Sequence, residues 1–241
     1  MPQFSDPHLA ALAVLVALVC AGIWIGRRHP GRPTDVFACA VAAVILAAWA
    51  GEYVADVANG TWSVKYTLPL QLTDAVSLTA AAALITRRRL AVELTYFWSL
   101  SASLQATLTP DLGRNFPSIY YFTYFGYHIG SIVAGCTLVF GCGLYPRPRA
   151  AWQVFGLTLI FAAVAGTADV ITGGNYMYLR AKPQHGSLLS ALGPWPVYLA
   201  GAAAIGLAML LVLQWLAAVV ARHDAPTGPT PPAALSAAAP T

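Results

Sequence analysis

A threonine, an aspartate and a histidine sit in strongly apolar stretches of this chain: Thr73 and Asp74 together, and His128 some fifty residues later. A hydroxyl and an imidazole are the two groups needed to form and pass on an acyl intermediate. The imidazole takes the hydroxyl proton, the oxygen attacks an ester carbonyl, and a carboxylate orients the ring. Thr73 fits the nucleophile, His128 the base and Asp74 the orienting acid. Spacing alone does not bring them into contact, so a transport reading and a purely structural reading stay open beside the catalytic one.

Other polar residues lie near them. Glu52, Asp56, Glu93 and Asp169 are the further acids in or beside apolar runs. An ionisable group in a spanning segment is costly and marks a functional candidate by default. Glu52, Asp56 and Asp169 are expected at outer helix ends, and Glu93 near an inner end within reach of arginines. Asp74 is expected about six residues, roughly 9 Å, inside the outer end of its helix, and His128 about ten residues, roughly 15 Å, inside its own. Gln105 falls in the outer quarter of the fourth helix.

Hydrocarbon offers these groups no partner, so one polar pocket shared in the outer half of the bundle is the economical arrangement. Tyr121, Tyr124, His128 and Ser131 recur at steps of three, four and three, which makes one helical stripe. That stripe reads as a cavity wall, or as a histidine bonded to a neighbouring hydroxyl for packing. Gln71 and Thr73 are nearly opposed on an ideal helix, and only an unwound first turn near Pro69 would let both serve one cavity. Thr73 and Ser77 have the alternative of bonding back to their own helix.

The elements that must hold these residues are membrane helices. Of 241 residues 58% are hydrophobic and 9% charged, against roughly a quarter charged in soluble domains. Apolar runs of the length that crosses a bilayer, about 20 residues, leave little chain for a soluble domain. The fold class is all-α, a polytopic transmembrane bundle. Helices are expected at about 9–26, 35–56, 68–86, 90–109, 118–143, 151–171 and 194–220, separated by proline and glycine breaks such as Pro30-Gly31, Asn59-Gly60 and Pro146. Residues 1–221 form the membrane domain, and 222–241, rich in Pro, Ala and Thr, form a disordered tail. The link from Thr172 to Gly193 is expected to cap the outer face.

Lys and Arg orient the bundle. With the N-terminus outside and the C-terminus in the cytoplasm, nine basic residues fall inside (Arg27, Arg28, Arg32, Arg87, Arg88, Arg89, Arg147, Arg149, Arg222). Four fall outside: Lys65, Arg114, Arg180 and Lys182. The first apolar run lacks a leading positive charge and is followed by Arg27 and Arg28, which favours an N-out helix over a cleaved signal. The net charge of +4 is accounted for by these loops, and no nucleic-acid partner is implied. The run Arg87–Arg89 reads as a cytoplasmic anchor, with a lipid-phosphate site as the minor alternative. Cys20, Cys39, Cys136 and Cys142 have neither metal nor disulfide spacing. No metal or other cofactor is expected, and the last helix lacks the lysine a retinal protein needs.

Six motifs add a family resemblance. Leu68-Pro69-Leu70-Gln71-Leu72-Thr73-Asp74, Glu93-Leu94-Thr95-Tyr96-Phe97-Trp98, Gln105-Ala106-Thr107-Leu108-Thr109-Pro110-Asp111 and Tyr127-His128-Ile129-Gly130 are four of them. Asn175-Tyr176-Met177-Tyr178-Leu179-Arg180 and Leu192-Gly193-Pro194-Trp195-Pro196 are the others. Together, over about residues 5–215, they resemble the bacterial integral membrane proteins related to human transmembrane protein 164. The resemblance implies a membrane-embedded acyltransferase acting on phospholipid acyl chains, with a cysteine nucleophile on the third helix and a histidine on a later one. His128 matches that histidine. Thr73 stands where related sequences have cysteine, and Gln71 where many have histidine. A threonine needs an adjacent base to act, an arrangement the similar androgen-induced hydrolases use.

The expected function is therefore an integral membrane acyltransferase or hydrolase with a phospholipid substrate. Thr73, His128 and Asp74 are its catalytic residues, and Gln71, Gln105, Tyr124, Asn175 and Tyr176 line the substrate site. The alternative is a non-catalytic membrane protein, either a small-solute or proton-coupled transporter or a lipid binder. A bacterial inner membrane is the expected location.

Overall fold

In the computed structural model, residues 3–182 and 191–224 are described. Among them the secondary structure is entirely helical. The helices are α1 (Asp6–Arg28), α2 (Arg32–Ala58), α3 (Leu72–Thr86), α4 (Arg89–Trp98), α5 (Ile119–Cys136), α6 (Ala150–Thr172) and α7 (Val197–His223). α4 continues through a π-helical turn, Ser99–Ser103, into a last α-turn, Leu104–Leu108, and α5 runs on through a second π-turn, Thr137–Gly141. A 3₁₀ turn, Tyr176–Tyr178, follows α6. The expected tail lies outside the described residues beyond Asp224, and α7 itself reaches two residues past the predicted boundary at 221.

Five of these helices are long and apolar enough to cross a bilayer: α1, α2, α5 with its π-turn, α6 and α7. Their burial shows how the bundle is built. Of the apolar stretch of α5, 83% is buried, against 22% or less for each of the other four. α5 is thus the central post. The other four turn apolar side chains such as Val16, Trp24, Val44, Ile160 and Trp215 outward. A bundle exposing such apolar side chains is stable only where its solvent is hydrocarbon. The chain is an integral membrane protein.

Between helices in lipid, close van der Waals packing replaces the missing hydrophobic drive, and small residues permit it. Gly130 of α5 faces Ile45 of α2 so closely that a β-carbon there would stand 2.6 Å from the isoleucine. Gly26 of α1 lies against Gly141, where an added β-carbon would stand 2.8 Å from backbone atoms. These contacts seat α1 and α2 on the central post.

The third helix begins later than expected. Pro69 pushes its predecessor toward extended backbone, and the segment before Leu72 is irregular, with only a tight turn from Leu70 N–H to Leu68 C=O. α3 starts at Leu72, with Gln71 extended at its N-cap (φ −75°, ψ 146°). Asp74 is therefore in the first turn rather than deep in the helix. The fourth helix is not one uninterrupted α-helix, because its π-turn interrupts it. The seventh starts at Val197, three residues after the expected Pro194.

The arginine-rich ends are tied by ion pairs. Glu93 is 1% exposed and accepts from Arg147 at three donors: backbone N and Nε to Oε1, both 2.9 Å, and Nη2 to Oε2, 2.7 Å. Arg87 pairs with Asp35, and Arg27 with Asp224 at 2.9 Å. Glu93 thus reaches an arginine as expected, with Arg147 its close partner and Arg89 of the triplet at 3.8 Å.

Candidate functional site

The late start of α3 creates the site. Because the chain is still extended at Gln71, Gln71, Thr73 and Asp74 all border one cavity despite opposing positions on an ideal helix. The cavity holds about 80 Å³. α2 supplies its other wall through Trp49, Glu52, Tyr53 and Asp56, spaced three, one and three, and Tyr127 of α5 forms its floor.

Asp74 is fixed by three donors. Its Oδ1 accepts from Trp49 Nε1 and from Tyr53 Oη, both at 3.0 Å. Its Oδ2 accepts from the Gln71 backbone N at 3.0 Å, which caps α3. The negative charge sits at a helix N-terminus, where the backbone dipoles favour it. Gln71 reaches the other way, and its Oε1 accepts from Met177 N at 2.9 Å.

Glu52 is the contrasting acid. It lies within reach of the Tyr127 and Thr123 hydroxyls and of the Asp74 and Asp56 carboxyls. Its Oε2 is buried without a hydrogen-bond partner among the described residues. A buried oxygen of this kind is exceptional and calls for an explanation. Thr73, half-buried, borders the same space. Its carbonyl accepts from Ser77 Oγ at 2.9 Å, so the back-bonding reading holds for Ser77.

His128 is placed elsewhere. It is 2% exposed and does not border the cavity. Its ring lies 4.4 Å from those of Tyr124 and Tyr127, and its Nδ1 is buried with no hydrogen-bond partner among the described residues. Tyr127 is the side chain that both touches this ring and borders the cavity. The aromatic stripe on α5 is a packing face rather than a cavity wall. Tyr121 Oη donates to Pro7 C=O at 2.6 Å, Tyr124 Oη to Ala106 C=O at 2.8 Å, and Ser131 Oγ to its own helix at Tyr127 C=O. Gln105 is exposed and stands apart from the cavity.

Asn175 and Tyr176 belong to the loop that covers this end of the bundle. Tyr176 is fully buried; its Oη donates to Val64 C=O at 2.7 Å and accepts from Leu68 N at 2.9 Å. Its backbone N donates to Asp169 Oδ1 at 2.7 Å. Asn175 closes the loop on itself, its Oδ1 accepting from Arg180 N and Ala181 N at 2.9 and 3.0 Å. Tyr176 positions the segment leading into Thr73, Asn175 shapes its own loop, and neither borders the cavity. Residues 183–190 of the expected cap lie outside the described residues.

From sequence, Trp49, Tyr53 and Tyr127 are not named as site residues, and Glu52 is set aside at an outer helix end. The signal was present, since Trp49, Glu52, Tyr53 and Asp56 form one helical stripe. Placing Glu52 at a helix end hid it. Among the described residues no group of three or more His, Cys, Asp or Glu side chains is arranged to hold a metal.

The model of the TMEM164 family matches residues 3–214. The chain belongs to the TMEM164 family. The match takes in all seven helices up to the last turns of α7, so Thr73, Glu52, Asp74 and His128 all lie inside the TMEM164 region. No curated protein and no solved structure matches the chain.

Proposed function

We propose that this TMEM164-family protein is an integral membrane acyltransferase or hydrolase that acts on phospholipid acyl esters, with Thr73 as nucleophile. The observation that carries the reading is the shared cavity: a helix-end hydroxyl and the unpartnered Glu52 Oε2 border the same 80 Å³. Glu52 takes the proton as Thr73 Oγ attacks the ester carbonyl carbon. The ester C–O bond breaks, the lysolipid alcohol leaves with that proton, and the acyl group stays on Thr73. A second alcohol or water then releases it by the reverse proton path. Asp74, Trp49 and Tyr53 hold the first turn of α3, and so Thr73, in place. His128 acts through Tyr127 as a positioning residue.

The size of the cavity fits this division of labour. A water's share of liquid volume is about 30 Å³, so the space suits an ester group and its attacking oxygen. The lipid tails remain in the bilayer, against the apolar outer surface of the bundle.

Purified protein in vesicles containing phosphatidylcholine with a labelled acyl chain tests the reading. Wild type is expected to release or transfer label, and Thr73→Ala to abolish turnover. Thr73→Cys is expected to retain it, since a thiol is the stronger nucleophile. Glu52→Gln is expected to lower kcat by roughly 100-fold or more, the scale of general base catalysis. Turnover in Thr73→Ala at the wild-type rate removes the nucleophile and the reading with it.

A second reading has one specific observation in its favour. Glu52 and Asp74 face each other's charge across the cavity within a membrane bundle, as in proton-coupled carriers. It predicts proton movement into vesicles that Glu52→Gln abolishes and Thr73→Ala leaves intact.

A further inference from the structure

A second and larger cavity lies at the opposite, arginine-rich end of the bundle. It is an open recess of about 490 Å³ where the ends of α1, α3, α5 and α7 and the start of α2 meet. That volume falls in the ordinary range of ligand sites, about 300–1,000 Å³. Its wall includes Arg27, Arg87, Gly31, Gly143, Tyr145 and Asp224.

The two guanidiniums are aimed rather than consumed. Arg27 Nε donates to Phe140 C=O at 2.8 Å and its Nη2 to Asp224 Oδ2 at 2.9 Å. Arg87 Nη2 donates to Asp35. A guanidinium carries five N–H donors. Among the described residues, hydrogen bonds use two of these on Arg27 and one on Arg87. The remaining donors of both belong to side chains bordering the cavity, and a planar fork of this kind matches a phosphate or carboxylate. Each fork is held in one orientation by a carboxylate, Arg27 by Asp224, which shares the cavity wall, and Arg87 by Asp35, which lies outside the lining. This lowers the ordering cost of binding.

The backbone is arranged for close approach as well. Gly31 (φ +91°) and Gly143 (φ +69°) take left-handed conformations, and a β-carbon built on either would meet nothing within 4 Å. Bare backbone at such turns lets N–H groups approach an anion. Arg28, Arg32 and Arg88 adjoin the lining residues in sequence and reinforce the positive field around the opening.

We propose that this cavity is a binding site for a phosphate-bearing anion, gripped between Arg27 and Arg87. It is separate from the candidate catalytic cavity and independent of the acyl-transfer reading. The phosphate can come from an anionic lipid headgroup at the membrane surface or from a soluble phosphate, and the same guanidinium pair recognises either.

The test uses the full chain in nanodiscs of phosphatidylcholine with phosphatidylglycerol, with native mass spectrometry reading the lipid retained. In parallel, thermal unfolding in detergent is followed with and without inorganic phosphate. Wild type is expected to retain phosphatidylglycerol over phosphatidylcholine, to be stabilised by phosphate, or both; lipid retention alone assigns a headgroup, and phosphate stabilisation alone a soluble source. Arg27→Gln with Arg87→Gln is expected to weaken the effect about tenfold or more. Arg28→Gln, which removes one positive charge outside the cavity lining, is expected to weaken it far less. Cys142→Phe fills the cavity while keeping both arginines, so it is expected to lose binding even if the arginine variants fold poorly. The proposal is overturned if neither probe acts on wild type, if Arg28→Gln matches the double variant, or if Cys142→Phe binds as wild type does.

Discussion

Asp74 carries more hydrogen bonds than any other group at the candidate site, with Trp49, Tyr53 and the Gln71 N–H all donating to it. Removing the acceptor strands donors that hydrocarbon cannot satisfy, so Asp74→Ala is expected to cost about 3 kcal/mol of stability, several donors to one charged group being lost together. Asp74→Asn keeps one acceptor oxygen and is expected to cost less. Thermal or denaturant unfolding of the purified variants checks both. Glu52 is the opposite case, because its Oε2 is already unpartnered. Glu52→Gln is expected to leave stability nearly unchanged while stopping turnover. A drop in stability as large as that of Asp74→Ala would show that Glu52 is structural. Asp74 was legible in the sequence as an acid in an apolar run. Glu52 was legible too, but as a helix-end residue, because the sequence does not say how far α2 extends beside the irregular segment before α3.

At the scale of elements, two of the ion pairs that tie the helix ends can be tested separately. Arg147→Ala leaves Glu93 buried without its partner and is expected to destabilise by about 3 kcal/mol, the usual cost of stranding a buried charge. Glu93→Gln is expected to cost less, since it removes the buried charge itself and leaves only the half-exposed Arg147 unpaired; unfolding of the two variants side by side decides it. The second pair ties α7 to α1. The Asp224 carboxyl is held below the usual carboxylate range, chiefly by the Tyr145 hydroxyl and then by Arg27. A carboxyl with a lowered native value stabilises the fold above its unfolded value, about 3.9, and that contribution is lost as pH falls through the native value. The difference in Tm between wild type and Asp224→Asn is therefore expected to stay constant from neutral pH to about pH 5 and to vanish only below about pH 4. A difference that disappears near pH 6 would assign the effect to another group.

For the whole molecule, the burial of α5 and the outward apolar side chains of the other four long helices show a membrane bundle. An orientation with the N-terminus outside and the C-terminus inside is the one proposed from the nine-to-four split of Lys and Arg. A green fluorescent protein fused after Thr241 is expected to fluoresce in intact bacterial cells, and alkaline phosphatase at the same place to stay inactive. The reverse pattern would turn the bundle over and would place the phosphate-binding cavity on the external face.

Hydropathy and proline placement were enough to determine seven helices, their approximate bounds and the membrane as solvent, because in hydrocarbon every spanning segment must satisfy its own backbone and each therefore announces itself as an apolar run. The motifs were likewise enough for the family, which the match over residues 3–214 shows. Which polar groups meet was decided only in three dimensions. The rotation of α5 about its axis turns His128 into the aromatic packing and Tyr127 to the cavity. The unwinding before Leu72 brings Gln71 and Thr73 to one side. Pro69 signals the unwinding locally, but the rotation of α5 and the side to which the unwound turn faces follow from tertiary contacts, such as Gly130 against Ile45 and Gln71 against Met177. No local sequence pattern encodes those contacts.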